Sequence, residues 1–314
     1  MSDKLIHSAL FGLAIGDALG VPVEFRERNL LRKHPVIDMR EYGTHHQPKG
    51  TWSDDSSLTF CLADSLCNGY DLNEIAHYFL LWYQSKMWTP HGSVFDIGIA
   101  TRNAIYRISK GEIPVLCGGY EESDNGNGSL MRILPLVFYL KNETDIELIF
   151  KKVKEVSSIT HAHFRSVFSC FIYIIFALEL LEKKDKKEAY TNTKKIINSF
   201  IESRDFNLKE INLFHRLLKE NINELHEDKI YSSGYVLHTL EASIWCILNS
   251  NSYEETVLKA VNLGEDTDTT AAISGGLAGI IYGYDSIPKE WIENLARKEA
   301  IENLCNKLNS EYEI

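Results

Sequence analysis

Apolar residues recur every three to four positions through most of this chain, and the strict alternation that marks strands is scarce. Ser57, Leu58, Phe60, Cys61, Leu62 and Leu66 fall on one face of a helix, as do Leu72, Ile75, Ala76, Phe79, Leu80 and Tyr83. The same recurrence predicts helices near 145–156, 164–183, 188–202, 208–220, 235–249, 253–261, 269–282 and 289–308. No Asn-Gly or Asp-Gly pair is flanked by alternating apolar residues, so hairpins are not expected. The expected fold is all-α. At 314 residues the chain could form one large domain or two small ones. With no Pro/Gly/Ser-rich linker and no repeat of fixed period, residues 1–314 are read as a single domain.

Charge and cysteine content narrow the possible partners. The chain carries 33 Lys+Arg against 44 Asp+Glu, a net charge of −11, the opposite of the cationic surplus that draws a protein onto a nucleic-acid backbone. The six cysteines show no two-residue spacing and are too sparse for a disulfide scaffold. Met1-Ser2-Asp3-Lys4 is too short and acidic to open a signal peptide. The longest apolar run, near 167–181, is interrupted by Ser169 and Glu179 and falls short of a bilayer span. A cytoplasmic protein without a membrane partner is expected. The run Lys183-Lys184-Asp185-Lys186-Lys187 reads as a solvated helix end and loop.

Two stretches break the helical pattern: 26–50, polar and irregular, and 110–132, which carries five glycines. Long irregular segments of this kind are often functional. The first ends at Trp52-Ser53-Asp54-Asp55-Ser56, which opens a helix. One Ser or Asp would suffice to cap that helix, and two adjacent carboxylates repel each other. Gly264-Glu265-Asp266-Thr267-Asp268-Thr269-Thr270 opens a second apolar helix, and its three carboxylates are hard oxygen donors suited to Mg²⁺, Mn²⁺ or Ca²⁺. It lacks the residues of an EF-hand loop. Its Asp-x-Asp-x-Thr string also fits a haloacid-dehalogenase-type nucleophile motif, but no strand precedes it and it falls near the end of the chain. The glycine-rich stretch ends at Asp124-Asn125-Gly126-Asn127-Gly128-Ser129-Leu130-Met131-Arg132, where bare backbone N–H groups could approach an anion at the positive end of a following helix. Smaller signals, Gly16-Asp17-Ala18-Leu19-Gly20, Phe95-Asp96-Ile97-Gly98 and Thr160-His161, read individually as structural.

The clusters gain meaning together. Asp54, Asp55, Asp266 and Asp268 could share one site only if cations offset their repulsion. Two divalent ions roughly 3.5–4 Å apart would do so, and would let an acidic site accept an anionic, hydroxyl-rich ligand.

In this order the motifs resemble those of the ADP-ribosylglycohydrolase family, in particular bacterial enzymes that act on ADP-ribosyl-dinitrogen reductase. The resemblance runs nearly end to end: Gly12 to Gly20 with Glu24-Phe25, Gly50 to Ser56, Phe95 to Gly98, Gly126 to Arg132, Ile159 to His161, Gly234 to Ala242 and Asn262 to Thr270. It implies an orthogonally packed helical domain with two cations, Mg²⁺ or Mn²⁺, at the floor of a cleft. Ser53, Asp54, Asp55, Asp266, Asp268 and Thr269 would be their ligands. Asn125, Gly126, Asn127, Gly128, Ser129 and His161 would contact the phosphates of the ligand, with Tyr235 in the nucleotide part of the cleft. Glu24 and Asp96 would lie near the reacting ribose carbon. Ser53 stands where the family more often has Thr, and Glu265 where many members have Gly.

The implied activity is hydrolysis of the bond between ADP-ribose and a protein acceptor, foremost an arginine nitrogen. Asp96 would be the general acid/base, and Glu24 would ligate metal or orient water. Alternative acceptors are serine, O-acetyl-ADP-ribose or a nucleobase. A different outcome is a non-catalytic protein that binds ADP-ribose or confers immunity to an ADP-ribosylating toxin.

Overall fold

A computed structural model describes residues 4–182 and 185–313. Sixteen α-helices run through the described residues: α1 (Leu5–Gly20), α2 (Arg28–Lys33), α3 (Asp54–Leu66), α4 (Leu72–Ser85), α5 (Ile99–Ser109), α6 (Leu136–Leu140), α7 (Ile146–Ser158), α8 (Phe164–Leu181), α9 (Lys186–Glu202), α10 (Leu208–Asn212), α11 (His215–Leu218), α12 (Val236–Leu248), α13 (Tyr253–Asn262), α14 (Thr267–Tyr282), α15 (Lys289–Asn294) and α16 (Lys298–Tyr312). Strands are absent among these residues, and only three isolated backbone bridges occur, so the all-α expectation holds.

The centre is an antiparallel pair, α1 on α14, brought together backbone to backbone by small residues. A methyl group on Gly12 would lie 2.4 Å from the Gly275 carbonyl oxygen, one on Gly16 2.1 Å from that of Ala271, and one on Gly20 2.3 Å from the Asp268 Cα. Only glycine permits that approach. Thr267 Oγ1 donates to the Gly20 carbonyl at 2.8 Å, which pins the start of α14 to the end of α1. Tyr253 Oη does the same for the Gly12 carbonyl at 2.7 Å. Helices α3, α8, α12 and α13 pack around α14.

Several expectations change. By length and composition two helical stretches could cross a membrane, Leu5–Val23 and Phe164–Leu181, the second because helix α8 starts earlier than the apolar run. The first is wholly buried and the second 72% buried, so they serve as core helices here. The helix expected at 289–308 is two helices: Arg297 takes left-handed backbone (φ 49°) and donates from Nη1 to the Thr89 carbonyl at 3.0 Å. The helix expected at 208–220 is likewise divided into α10 and α11. Segment 26–50 contains α2, whose Arg28 donates to the carbonyls of Leu263 (2.6 Å), Glu227 (2.8 Å) and Ile230 (2.6 Å) and so ties this segment to the turn before α14. Of the lysine run, Lys183 and Lys184 lie outside the described residues. Asp185 and Lys187 are exposed as expected, while Lys186 is half-buried, its Nζ reaching the Ser250 carbonyl and Tyr282 Oη.

Candidate active site

Helices α3 and α14 begin side by side. Ser53 is the N-cap of α3, its Oγ accepting from the Asp55 N–H at 3.2 Å. Asp17, from inside α1, takes two further N–H groups here: Oδ1 accepts from Ser53 N at 2.9 Å, and Oδ2 from Ser56 N at 3.0 Å and Ser56 Oγ at 2.6 Å. These bonds use neither the Asp54 nor the Asp55 carboxylate as a cap. On the other helix, Asp266 makes no cap, and Asp268 Oδ1 accepts from the Thr269 N–H at 2.9 Å. Thr269 Oγ1 donates to Asp55 Oδ2 at 3.3 Å, and Ser53 Oγ donates to the same oxygen at 2.9 Å, so the two acidic helix starts meet.

Carboxylate oxygens of Asp17, Asp55 and Asp268 lie within 4.8 Å of one another, as do those of Glu24, Asp266 and Asp268. A third group joins Glu24 to Asp96 and His45. Asp54 lies in the same field, with Asp96 its strongest carboxylate neighbour. Burial first, and mutual repulsion second, push Asp54, Asp55 and Asp268 well above the usual carboxylate range. Burial likewise raises Glu24 to about 7 and Asp17 to about 6. Three oxygens in this cluster, Asp55 Oδ1, Asp266 Oδ1 and Asp268 Oδ2, are buried without a hydrogen-bond partner. A buried anionic oxygen left unpaired is costly. An all-oxygen donor set of this kind fits hard divalent cations.

The glycine loop lies against the same centre. Asn127 Nδ2 donates to Asp266 Oδ2 at 2.8 Å and to Thr239 Oγ1 at 3.0 Å. Its backbone N–H donates to the Gly234 carbonyl at 3.1 Å, beside the bridge between Gly126 and Tyr235. His161 sits beneath the loop: a methyl on Gly128 would lie 2.8 Å from its Cε1, and one on Gly126 3.6 Å from its Nε2. Tyr235 stands at the N-terminal boundary of α12 and packs edge-on to His238 with centroids 5.0 Å apart.

Not every expected side chain is available there. Asn125 is committed to the scaffold, its Nδ2 donating to the Glu122 carbonyl at 3.0 Å and its Oδ1 accepting from Ser166 Oγ at 3.3 Å. Ser129 is fully buried, and its Oγ accepts from Ser157 Oγ at 2.9 Å. The helix expected directly after the loop is absent. Residues 128–132 form turns and α6 begins only after Pro135, which disfavours helical backbone at the residue before it. The loop's backbone amides must therefore act without a helix end behind them. Two residues of the site, Asp17 and His45, were missed as site residues. Asp17 had a visible signal, a carboxylate on an apolar helix. His45 had none: its Nε2 contacts Glu24 Oε2 from a short 3₁₀ turn, with Phe25 and Phe95 packed against its ring.

An all-α scaffold brings two acidic helix starts and a glycine loop together on one buried centre, whose carboxylate groups could hold cations. Residues 2–313 match the ADP-ribosylglycohydrolase family model, and the protein belongs to that family of hydrolases. It is 34% identical to ADP-ribosylarginine hydrolase Tri1 of Serratia proteamaculans, over 96% of this chain and 77% of the relative. It is 28% identical to the ADP-ribosyl-[dinitrogen reductase] glycohydrolase of Rhodospirillum rubrum, over 95% and 94% of the two chains. A solved structure described as an ADP-ribosylglycohydrolase-related protein complex superposes with a TM-score of 0.82 at 29% identity, covering 99% of this chain and all of the other.

Proposed function

We propose that the protein removes ADP-ribose from arginine side chains of modified proteins, using two divalent cations, Mg²⁺ or Mn²⁺. The observation that carries this reading is the set of three unpartnered, buried oxygens on Asp55, Asp266 and Asp268, contributed by two helix starts that meet. Ser53, Asp54, Asp55, Asp266, Asp268 and Thr269 would hold the cations. When bound, such ions orient ribose hydroxyls and lower the pKa of water.

The chain's own groups supply the rest. Burial raises Asp96, the direction that suits a general acid, and Asp96 would protonate the departing nitrogen. Glu24, shared between the Asp266–Asp268 group and the His45–Asp96 group, would ligate a cation or orient the attacking water. Water oxygen would join ribose C1 as the C1–N bond breaks, the proton it sheds replacing the one Asp96 gives to the nitrogen, so that ADP-ribose and unmodified arginine are released. The backbone N–H groups of Gly126 and Gly128, both partly exposed, have no acceptor among the described residues and would donate to phosphate oxygens together with His161. Arginine as acceptor is supported by the 34% identical relative named for ADP-ribosylarginine. The six free cysteines suit a reducing, cytoplasmic setting.

The test is release of ADP-ribose from arginine-modified and serine-modified protein, with Mg²⁺, with Mn²⁺ and with excess chelator. Cation-dependent release from arginine alone is expected. Release in chelator, or from serine alone, overturns the reading.

A further inference from the structure

Behind the glycine loop lies a fully buried cation that the chemistry above does not use. Arg132 has no exposed surface and no carboxylate partner among the described residues, and its Nε and Nη1 have no hydrogen-bond partner. Its guanidinium lies 4.6 Å from the centre of the Phe79 ring. A charge held at that expense in the core calls for a reason beyond packing.

Its one short hydrogen bond supplies it. Arg132 Nη2 donates to Thr160 Oγ1 at 2.7 Å, and Thr160 Oγ1 lies 2.8 Å from His161 Nδ1. An arginine can only donate, so the hydroxyl accepts from it and keeps its own proton to give. Among the described residues, His161 Nδ1 is the single acceptor within reach of that proton. Were Nδ1 protonated instead, the Thr160 hydroxyl proton would be stranded in a fully buried site. Nδ1 is therefore the acceptor, and the ring proton resides on Nε2, the atom turned toward Gly126 and Gly128.

We propose that Arg132, acting through Thr160, is a positioning residue that locks His161 as the Nε2–H tautomer and so presents a fixed donor to a phosphate oxygen bound at the glycine loop. This rests on the placement of the phosphates proposed above. Burial, reinforced by Arg132, pushes His161 down to about 3, so the ring is neutral at any working pH and its donor cannot come from ring protonation. The unpaired guanidinium also leaves net positive charge beneath the loop, in a centre otherwise crowded with carboxylates.

Histidine labelled with ¹⁵N in the whole protein reports the tautomer directly, with the His161 signals assigned by their loss in His161→Ala. Wild type should show protonated Nε2 and bare Nδ1. Thr160→Val, which removes the hydroxyl at nearly constant shape, should mix the tautomers and weaken ADP-ribose binding about tenfold. Thr160→Ser should restore both, which a packing role would not predict. A protonated Nδ1 in wild type overturns the relay without need of any variant. So does a Thr160→Val protein with unchanged tautomer and unchanged affinity. His161→Ala separates the two proposals: if it binds ADP-ribose as tightly as wild type, the phosphate placement fails, whereas the tautomer readout stands by itself.

Discussion

Asn127 donates to Asp266 across 2.8 Å, and this bond joins the glycine loop to the acidic centre. It orients one oxygen of Asp266 and leaves the other unpartnered and buried. Groups that orient a ligating carboxylate typically matter 10–100-fold for metal affinity or activity. Asn127→Ala should therefore weaken cation binding about tenfold or more, as read by calorimetric titration of the chelator-stripped protein. Unaltered cation affinity would mean that Asp266 needs no such support.

Asp55→Asn should separate stability from activity. In the absence of cations, burial and the neighbouring Asp17 and Asp266 make the Asp55 carboxylate costly. An amide of the same shape relieves that cost, so the stripped variant should melt about 2–4 °C above stripped wild type. Millimolar Mg²⁺ or Mn²⁺ should then stabilise wild type strongly and the variant little, because only binding to the folded state raises stability. ADP-ribose release should fall at least about 100-fold. A variant less stable than wild type in chelator would show that the cluster is not under electrostatic strain.

The pH dependence of the stripped protein follows from the same burial. Glu24 is raised from 4.5 to about 7 in the fold. Below the lower value it is protonated in both states and its contribution is fully present. Between the two values the unfolded chain loses the proton while the folded chain keeps it, so stability falls as pH rises. His161, lowered by burial to about 3, runs the other way between there and 6.5. The difference between wild type and Glu24→Gln isolates the carboxylate: it should shrink by on the order of 2 kcal/mol from pH 4.5 to pH 8. Urea titrations at a series of pH values measure it, and a flat difference would place Glu24 in ordinary solvent-like surroundings.

Gly20→Ala tests the approach of α1 to α14. The residue has helical backbone (φ −80°, ψ −39°), where alanine is intrinsically favoured by about 1 kcal/mol. Its methyl would nevertheless lie 2.3 Å from Asp268 Cα and from the Asp268 backbone nitrogen, neither of which can swing aside. Packing should reverse the sign, with a loss of about 2 kcal/mol by denaturant unfolding and weaker cation binding as Asp268 is displaced. A stabilised variant would refute the close contact.

What could be read from the sequence, and what could not, divides by range. The acidic helix starts were legible because capping needs one side chain and each segment carries more than one. Helix type was legible wherever an apolar face recurs, as in α8 and α14. The division at Arg297 was not: Leu295-Ala296-Arg297-Lys298 contains no breaker, and the turn is imposed from elsewhere by the Thr89 carbonyl on Arg297 and the Gly50 carbonyl on Ala296 N–H at 3.0 Å. Asp17 likewise looks like an isolated charge within a core helix until α3 is docked on it. His45 depends on a turn flanked by left-handed residues, Tyr42 and His46, which no local pattern announces.

Glu265 is one of nine described non-glycine residues with positive φ, and it stands at the entry to α14. It adopts left-handed backbone (φ 59°), a conformation that costs a residue with a Cβ about 1–2 kcal/mol relative to right-handed backbone and glycine almost nothing. The position is fixed by tertiary bonds on both sides: Glu265 N–H donates to the Arg26 carbonyl at 2.8 Å, and its own carbonyl accepts from Phe25 N–H at 2.6 Å. Those two bonds tie the segment carrying Glu24 to the start of α14, so the backbone cannot relax without pulling the centre apart. Glu265→Gly keeps both bonds and removes the strain, against a larger loss of chain entropy of about 0.5–1 kcal/mol. The balance favours the variant by about 0.5–1 kcal/mol, seen as a higher denaturation midpoint at unchanged slope. A lower midpoint would mean that the Glu265 side chain contributes more to the fold than its backbone costs.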